Sequence, residues 1–212
     1  MHHQIFTNSL GEMSPQDQAG MFRLRFETFS VRLGWEVETT PDGFEIDKFD
    51  RIPEANYILA KSPGESIDAC WRLLPTLGPN MLRDVFPQLM NEGDEAPAAA
   101  DVWELSRFAL AARRESAEGD NPQYSFGPLS MALMAEAARF AAQHGIVRYV
   151  TVTTAAIERM LNRQGLHVHR LGPPRKIGNV LTVACAIEVD AQTLDAVAHA
   201  TAAEAKEEDA TA

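Results

Sequence analysis

The chain predicts an α/β fold, a mixed sheet with helices on both faces. Three observations point there: strand-like runs crowd the middle, helical stretches stand before and after them, and 212 residues suffice to bury one sizeable core. A helical stretch runs from Met13 to Arg32. Tyr57–Ala60 and Ile67–Leu74 read as strands joined by the turn Ser62-Pro-Gly-Glu65, an antiparallel hairpin. Val102–Ala111 is a third strand. From Phe126 to His144 the apolar positions Leu129, Leu133, Ala137, Phe140 and Ala141 keep helical spacing, and Gly145 is a natural stop. Val147–Thr153 is a β-branched strand, Ala155–Gln164 a helix closed by Gly165, and Val180–Val189 a last strand. The Ala-rich tail after Asp190 begins as a helix and frays over 206–212, which leaves residues 1–205 as one domain. Residues 95–100 and 113–123 read as loops, the second long enough to be mobile.

Composition narrows the functional classes. A net charge of −11 argues against general nucleic-acid binding. No run of eighteen apolar residues exists, and the start Met1-His-His-Gln-Ile-Phe lacks the basic-then-apolar layout of a secretory signal, so the expected place is the cytoplasm without stable membrane insertion. Cys70 and Cys185 sit in strand-like apolar runs without metal-ligand spacing and read as buried reduced thiols. His167-x-His169 shares a strand face but has no acidic or cysteine partner nearby in sequence, so no metal site is expected. The acidic chain nonetheless holds one basic stretch: from Arg159 to Lys176 it carries Arg159, Arg163, Arg170, Arg175 and Lys176 and no acid. That is either a solvated face or a docking face for an acidic partner.

The most informative segment is Asp101-Val-Trp-Glu-Leu-Ser-Arg-Phe-Ala109, a buryable strand that carries Glu104 and Arg107. Such a pair is destabilising unless used or neutralised, so it is either catalytic or a structural ion pair. In a regular strand Glu104, Ser106 and Phe108 share one face while Trp103, Leu105 and Arg107 share the other. One site holding both Glu104 and Arg107 therefore requires a bulge or twist between them.

Upstream stand Arg25-x-x-x-Phe29-x-x-Arg32-x-Gly34-Trp35, Glu45-Ile-Asp47-Lys-Phe-Asp50, Cys70-Trp-Arg72-Leu-Leu-Pro-Thr76 and Met81-x-x-x-x-Phe86-Pro87. In this order and at these separations the blocks resemble the acyl-homoserine-lactone synthases, the autoinducer enzymes of quorum sensing, from about Arg25 to Glu188. Arg25, Phe29, Trp35, Asp47, Asp50, Arg72, Phe86, Glu104 and Arg107 all match the family's signature positions. The resemblance implies a three-layer α/β/α sandwich similar to the N-acetyltransferase fold. It also implies an acyltransferase that joins S-adenosylmethionine, a substrate rather than a cofactor, to an acyl chain delivered by acyl carrier protein. The amine attacks the thioester, then the carboxylate closes onto the γ-carbon and expels methylthioadenosine.

On that resemblance Glu104 is the expected general base, Arg107 stands beside it, and backbone N–H groups at a bulge near Phe108 are the expected oxyanion donors. Arg25, Asp47, Asp50, Arg72, Glu104 and Arg107, three basic and three acidic, are expected to surround the charged head of S-adenosylmethionine or to lock the amino-terminal segment onto the sheet. Phe29, Trp35 and Phe86 form an aromatic wall with Arg32 beside it, while Trp103 reads as core. Leu105, Ser106, Met131, Met134, Ile157, Leu161 and Leu166 are candidates for the acyl slot, and Thr151 for recognition of a 3-oxo chain. Arg159, Arg163, Arg175 and Lys176 are the expected docking face for the acidic carrier.

Two rival readings are an acyltransferase using acyl coenzyme A and a non-catalytic protein that binds S-adenosylmethionine. Against the first, Arg113-Arg-Glu-Ser-Ala-Glu-Gly119-Asp lacks the glycine pattern of a pyrophosphate-cradling loop. Against the second, none of Arg25, Glu104 and Arg107 is lost. No glycine-rich turn of the dinucleotide type suggests a methyltransferase.

Overall fold

The computed structural model describes residues 3–112 and 127–209. Strands β1 (Gln4–Ser9), β2 (Asn56–Lys61), β3 (Ile67–Pro75), β4 (Val102–Leu110), β5 (Arg148–Thr154), β6 (Val168–Arg170), β7 (Arg175–Ile177) and β8 (Val180–Glu188) form one sheet. Its order is β1-β2-β3-β4-β5-β8-β6, with β7 also pairing β8. The β4–β5 pair is parallel and the others are antiparallel, which is the predicted mixed sheet.

Alternation along the strands sends side chains to two separate cores. Ile58, Trp71, Leu73, Leu105 and Tyr149 meet Met131, Met134 and Phe140 of α3 (Pro128–His144), Ile157 and Leu161 of α4 (Ala155–Arg163) and Val197 of α5 (Ala191–Asp209). Tyr57, Leu59, Cys70 and Leu74 meet Met21, Phe22 and Leu24 of α1 (Pro15–Arg25) on the opposite face. Leu82 of the short α2 (Met81–Asp84) packs with Val102 and Val150 on that same side. Helices therefore cover both faces, as three layers require. Trp103 meets Phe140 edge-on at 5.4 Å and is core, as expected. Both cysteines are buried and free, and burial pushes each thiol up to about 12. Among the described residues no helix is long and apolar enough to cross a membrane.

Several boundaries differ from the sequence-based expectation. The helix expected over Met13–Arg32 is an α-helix only to Arg25, and a π-helical segment, Phe26–Arg32, follows it. Ser14 starts it, accepting from Asp17 N with Pro15 behind it, and Leu33 N reaching Thr28 O marks the wider turn. β1 was not predicted: an edge strand with a half-buried face has little alternation, and its register comes from β2, Gln4 opposite Lys61 through Ser9 opposite Asn56. The predicted stops hold, with Gly145 at φ 67° and Gly165 at φ 87°. α5 runs on to Asp209, and the loop predicted at 113–123 lies outside the described residues.

Gly172 fixes the far edge of the sheet against the segment after α2. A Cβ there would stand 2.3 Å from Leu89 O and 2.6 Å from Met90 C, and Leu171 O accepts from Asn91 N across the same contact. Backbone cannot step aside as a flexible side chain can. Gly172→Ala is expected to cost about 1–3 kcal/mol, read as a lower thermal midpoint.

Candidate active site

The requirement for a bulge is met at Arg107. On β3 the partners step from Cys70 to Arg72 while on β4 they step from Ala109 to Ser106, so Trp71 faces two residues, Arg107 and Phe108. Arg107 takes φ 56°, the left-handed region that side chains rarely adopt. The extra residue resets the alternation. Leu105 and Phe108 point to the α3 core, Phe108 lying 5.0 Å from Trp71, while Glu104, Ser106 and Arg107 point to the α1 and α2 side.

On that side seven acidic and basic side chains form one buried cluster. Arg25, fully buried, gives Nε to Glu45 and Nη1 and Nη2 to Asp50 at 2.8 Å each. Arg72 gives Nη1 to Asp47 at 2.7 Å and to Asp50 at 2.9 Å, and Nε to Ser106 Oγ at 3.2 Å. Arg107 gives Nε to Glu45 at 2.9 Å and holds Nη2 2.8 Å from Asp47 Oδ2. Asp50 also accepts from Tyr57 Oη and from Asp47 N. Its carboxyl is desolvated, yet the flanking Arg25 and Arg72 guanidiniums hold it well below the usual range.

Glu104 is held apart from these pairs. Its oxygens accept from Met81 N at 3.1 Å and Leu82 N at 2.7 Å, in the first turn of α2, with Asn80 capping Arg83 N. Burial raises its carboxyl above the ordinary carboxylate value, the two backbone donors, the Arg72 charge and the Ser106 hydroxyl opposing the shift only partly. A buried, raised carboxylate is suited to taking up a proton.

The cluster corrects the predicted charge balance. Glu45, fully buried between Arg25 and Arg107, was not among the predicted site residues, and it makes four carboxylates against three guanidiniums. Its signal was the spacing Glu45-x-Asp47, two positions that share a face in extended chain. Phe29 is buried and stacks on half-exposed Trp35 at 5.4 Å, with Arg107 5.5 Å over its ring. Phe86 is half-buried at the end of α2. Arg32 does not reach the cluster: its Nη2 donates to Thr28 Oγ1 and Leu110 O, tying the π-helical segment to the end of β4.

Of the acyl-slot candidates, Leu105, Met131, Met134, Ile157, Leu161 and Leu166 pack in one core. Thr151 stands beside Leu105 in the β4–β5 register. Ser106 is a correction, since its hydroxyl is on the charged face with Arg72. The β4–β5 ladder runs from Val102–Arg148 only to Leu105–Thr151, although both strands continue. The pairing thus ends at the level of the bulge.

Arg159 and Arg163 of α4 and Arg175 and Lys176 of β7 are all exposed, whereas Arg170 is bound bidentately by Glu158 at 2.6 and 2.7 Å. His167 does have an acidic neighbour, Asp190 at 2.6 Å, brought from the end of β8. Among the described residues no group of three or more histidine, cysteine or carboxylate side chains is placed to hold a metal.

A sequence model described as autoinducer synthase matches residues 9–197. The chain belongs to the autoinducer synthase family. The enzyme is 40% identical over 174 residues to an acyl-homoserine-lactone synthase of Pseudomonas aeruginosa, covering 82% of this chain and 83% of that one. Among solved structures it is similar to the AHL synthase LasI, with 37% identity, a TM-score of 0.82 and coverage of 92% and 94%. It is also similar to BjaI, described as a CoA-dependent acyl-homoserine lactone synthase with SAM and isopentyl-CoA, at 27% identity, TM-score 0.78 and coverage of 92% and 87%. An acyl-CoA N-acyltransferase from P. aeruginosa shares the fold alone, at 14% identity and TM-score 0.58. The enzyme is thus an acyltransferase of the expected fold.

Proposed function

We propose that the enzyme makes an N-acyl-homoserine lactone in the cytoplasm from S-adenosylmethionine and an acyl thioester carried on acyl carrier protein. The observation that carries this reading is the end of the β4–β5 pairing beside Glu104 and the bulged Arg107, where an amine on the charged side would meet a thioester on the acyl side. The four-to-three cluster bears one net negative charge with all groups ionised. S-Adenosylmethionine, with ammonium, sulfonium and carboxylate, bears one net positive charge.

In the first step the substrate amine loses a proton to Glu104, whose two oxygens keep acceptor capacity beyond the α2 bonds, and attacks the thioester carbon. An α-amine titrates near roughly 7.7–8.0, so a carboxylate with a raised pKa suffices. The C–S bond breaks, and the leaving carrier thiolate takes up the proton that the nitrogen sheds on becoming an amide. In the second step a carboxylate oxygen bonds to the γ-carbon as its C–S bond breaks, releasing methylthioadenosine. That step needs chiefly a folded conformer, held by the guanidiniums and the Phe29–Trp35 stack.

The carrier-protein donor is supported by the exposed Arg159, Arg163, Arg175 and Lys176 on a chain of net charge −11. An acyl coenzyme A donor is the second reading, favoured by the description of BjaI as CoA-dependent. Incubation with S-adenosylmethionine and a panel of straight and 3-oxo acyl carrier proteins and coenzyme A thioesters decides between them. Paired lactone and methylthioadenosine by mass spectrometry are expected from carrier thioesters, with the 3-oxo set preferred if Thr151 binds the added carbonyl. No product from any donor would sink the synthase reading. Arg163→Glu is expected to raise KM for the acyl carrier protein several-fold, more at low salt, and to leave KM for S-adenosylmethionine unchanged. Equal effects on both would remove the docking assignment.

A further inference from the structure

Among the described residues, every guanidinium nitrogen of Arg25, Arg72 and Arg107 faces a carboxylate or hydroxyl oxygen except two. Those two, Arg72 Nη2 and Arg107 Nη1, converge on one atom, the thioether sulfur of Met81, at 3.4 and 3.3 Å. A thioether is a weak acceptor, and two buried cationic donors gain little from it. Two planar forks converging on a point is the geometry that receives a carboxylate. On the acceptor side, Asp47 is 5% exposed, and among the described residues its Oδ2 has no hydrogen-bond donor aligned on it, Arg107 Nη2 standing 2.8 Å away as an ion pair. Weakly satisfied donors beside a carboxylate oxygen held by an ion pair alone are complementary to the two ends of an α-amino acid.

We propose that Met81 is a place-holder. Its sulfur engages Arg72 and Arg107 until the α-carboxylate of the substrate displaces it, and the ammonium comes to Asp47 Oδ2. Met81 N meanwhile keeps its bond to Glu104, so the residue that yields the carboxylate site also seats the general base. Met81 is a positioning residue in this scheme. It releases two donors and fixes the base, and touches no reacting atom. The scheme rests on S-adenosylmethionine being the substrate.

The place-holder role predicts an effect that ordinary packing does not. Removing the sulfur deprives the empty site of an acceptor that competes with the substrate carboxylate, so Met81→Leu should tighten S-adenosylmethionine binding, by about tenfold if the two lost contacts together are worth about 1.4 kcal/mol. Met81→Gln supplies a stronger acceptor, a carboxamide oxygen, and should weaken it. Methylthioadenosine has no amino-acid end, so its affinity should change less than twofold in either variant.

Titration calorimetry of both ligands against the wild-type protein and the two variants tests this. Opposite shifts for S-adenosylmethionine with unchanged methylthioadenosine binding support the place-holder. Weaker binding of S-adenosylmethionine in both variants, or parallel shifts for the two ligands, overturn it in favour of a packing or contact role. If Met81→Leu does not fold, Met81→Gln still carries the test, since unchanged or tighter S-adenosylmethionine binding there also overturns the proposal. A wild-type protein that does not bind S-adenosylmethionine fails the substrate reading instead, which keeps the two failures distinct.

Discussion

Glutamine at position 104 is expected to reduce kcat by about 10²–10⁴-fold and to lower the thermal midpoint as well. The rate effect follows from losing the proton acceptor. The stability effect follows from the α2 contacts: both carboxylate oxygens accept backbone N–H bonds, from Met81 and Leu82, and an amide NH2 sets a donor against one of them. A buried donor left unsatisfied costs about 1–3 kcal/mol, roughly 2–12 °C in a chain of this size. Glu104→Gln therefore changes two things at once, the base and the seat of α2. Asn80→Ala separates them, because it removes the side chain that caps Arg83 N while leaving Glu104 intact. If Asn80→Ala loses a similar midpoint and keeps most of its turnover, the loss in Glu104→Gln belongs to proton transfer. If it loses turnover equally, the seat of α2 governs the rate and the base is elsewhere.

The pH dependence carries the same assignment. Glu104 has a folded-state pKa raised by burial, so kcat/KM for S-adenosylmethionine should fall as pH drops through a value above that of an ordinary glutamate. For stability the sign is the reverse of the usual acid. A raised carboxyl contributes stability that is fully present below the unfolded pKa and is lost as pH rises through the folded one.

How much of this site was legible in the sequence depends on the range of the interactions that build it. Arg25, Asp47, Asp50, Arg72, Glu104 and Arg107 could be assembled in advance because each belongs to a recognisable block, and the sheet brings the blocks together. The bulge was legible only as a condition, since two-residue periodicity shows that Glu104 and Arg107 conflict without showing how the strand resolves it. Glu45 escaped although it stands two residues from Asp47. The seat of Glu104 could not be read at all: Gly78-Pro79-Asn80 looks like loop, and the four-residue α2 that follows is fixed by a carboxylate on a distant strand. β1 is missed for a similar reason, its strand character supplied by β2 rather than by its own residues. In each case the deciding hydrogen bond joins segments far apart in the chain.

Asp50→Asn tests the structural half of the cluster, and its expected effect is on folding. The carboxylate accepts from both terminal nitrogens of Arg25, from Arg72, from Tyr57 Oη and from Asp47 N, and the residue is 5% exposed. An amide in its place leaves two buried guanidiniums short of charge and sets its own donors against theirs. Breaking a buried pair in this way costs about 3–5 kcal/mol, roughly 6–20 °C in the thermal midpoint, out of a total stability on the order of 5–15 kcal/mol. Because Arg25 and Arg72 depress the Asp50 carboxyl, its contribution is present above the pKa of an unfolded aspartate, about 4, and is lost as pH falls toward the folded value. The gap in midpoint between wild-type protein and Asp50→Asn should thus widen as pH rises from 3 to about 6. The gap between wild-type protein and Glu104→Gln should narrow with rising pH, since Glu104 is shifted the other way. Thermal scans of the two variants across pH read both signs, and two gaps moving in the same direction would show that Asp50 and Glu104 do not divide the cluster into a latch and a base.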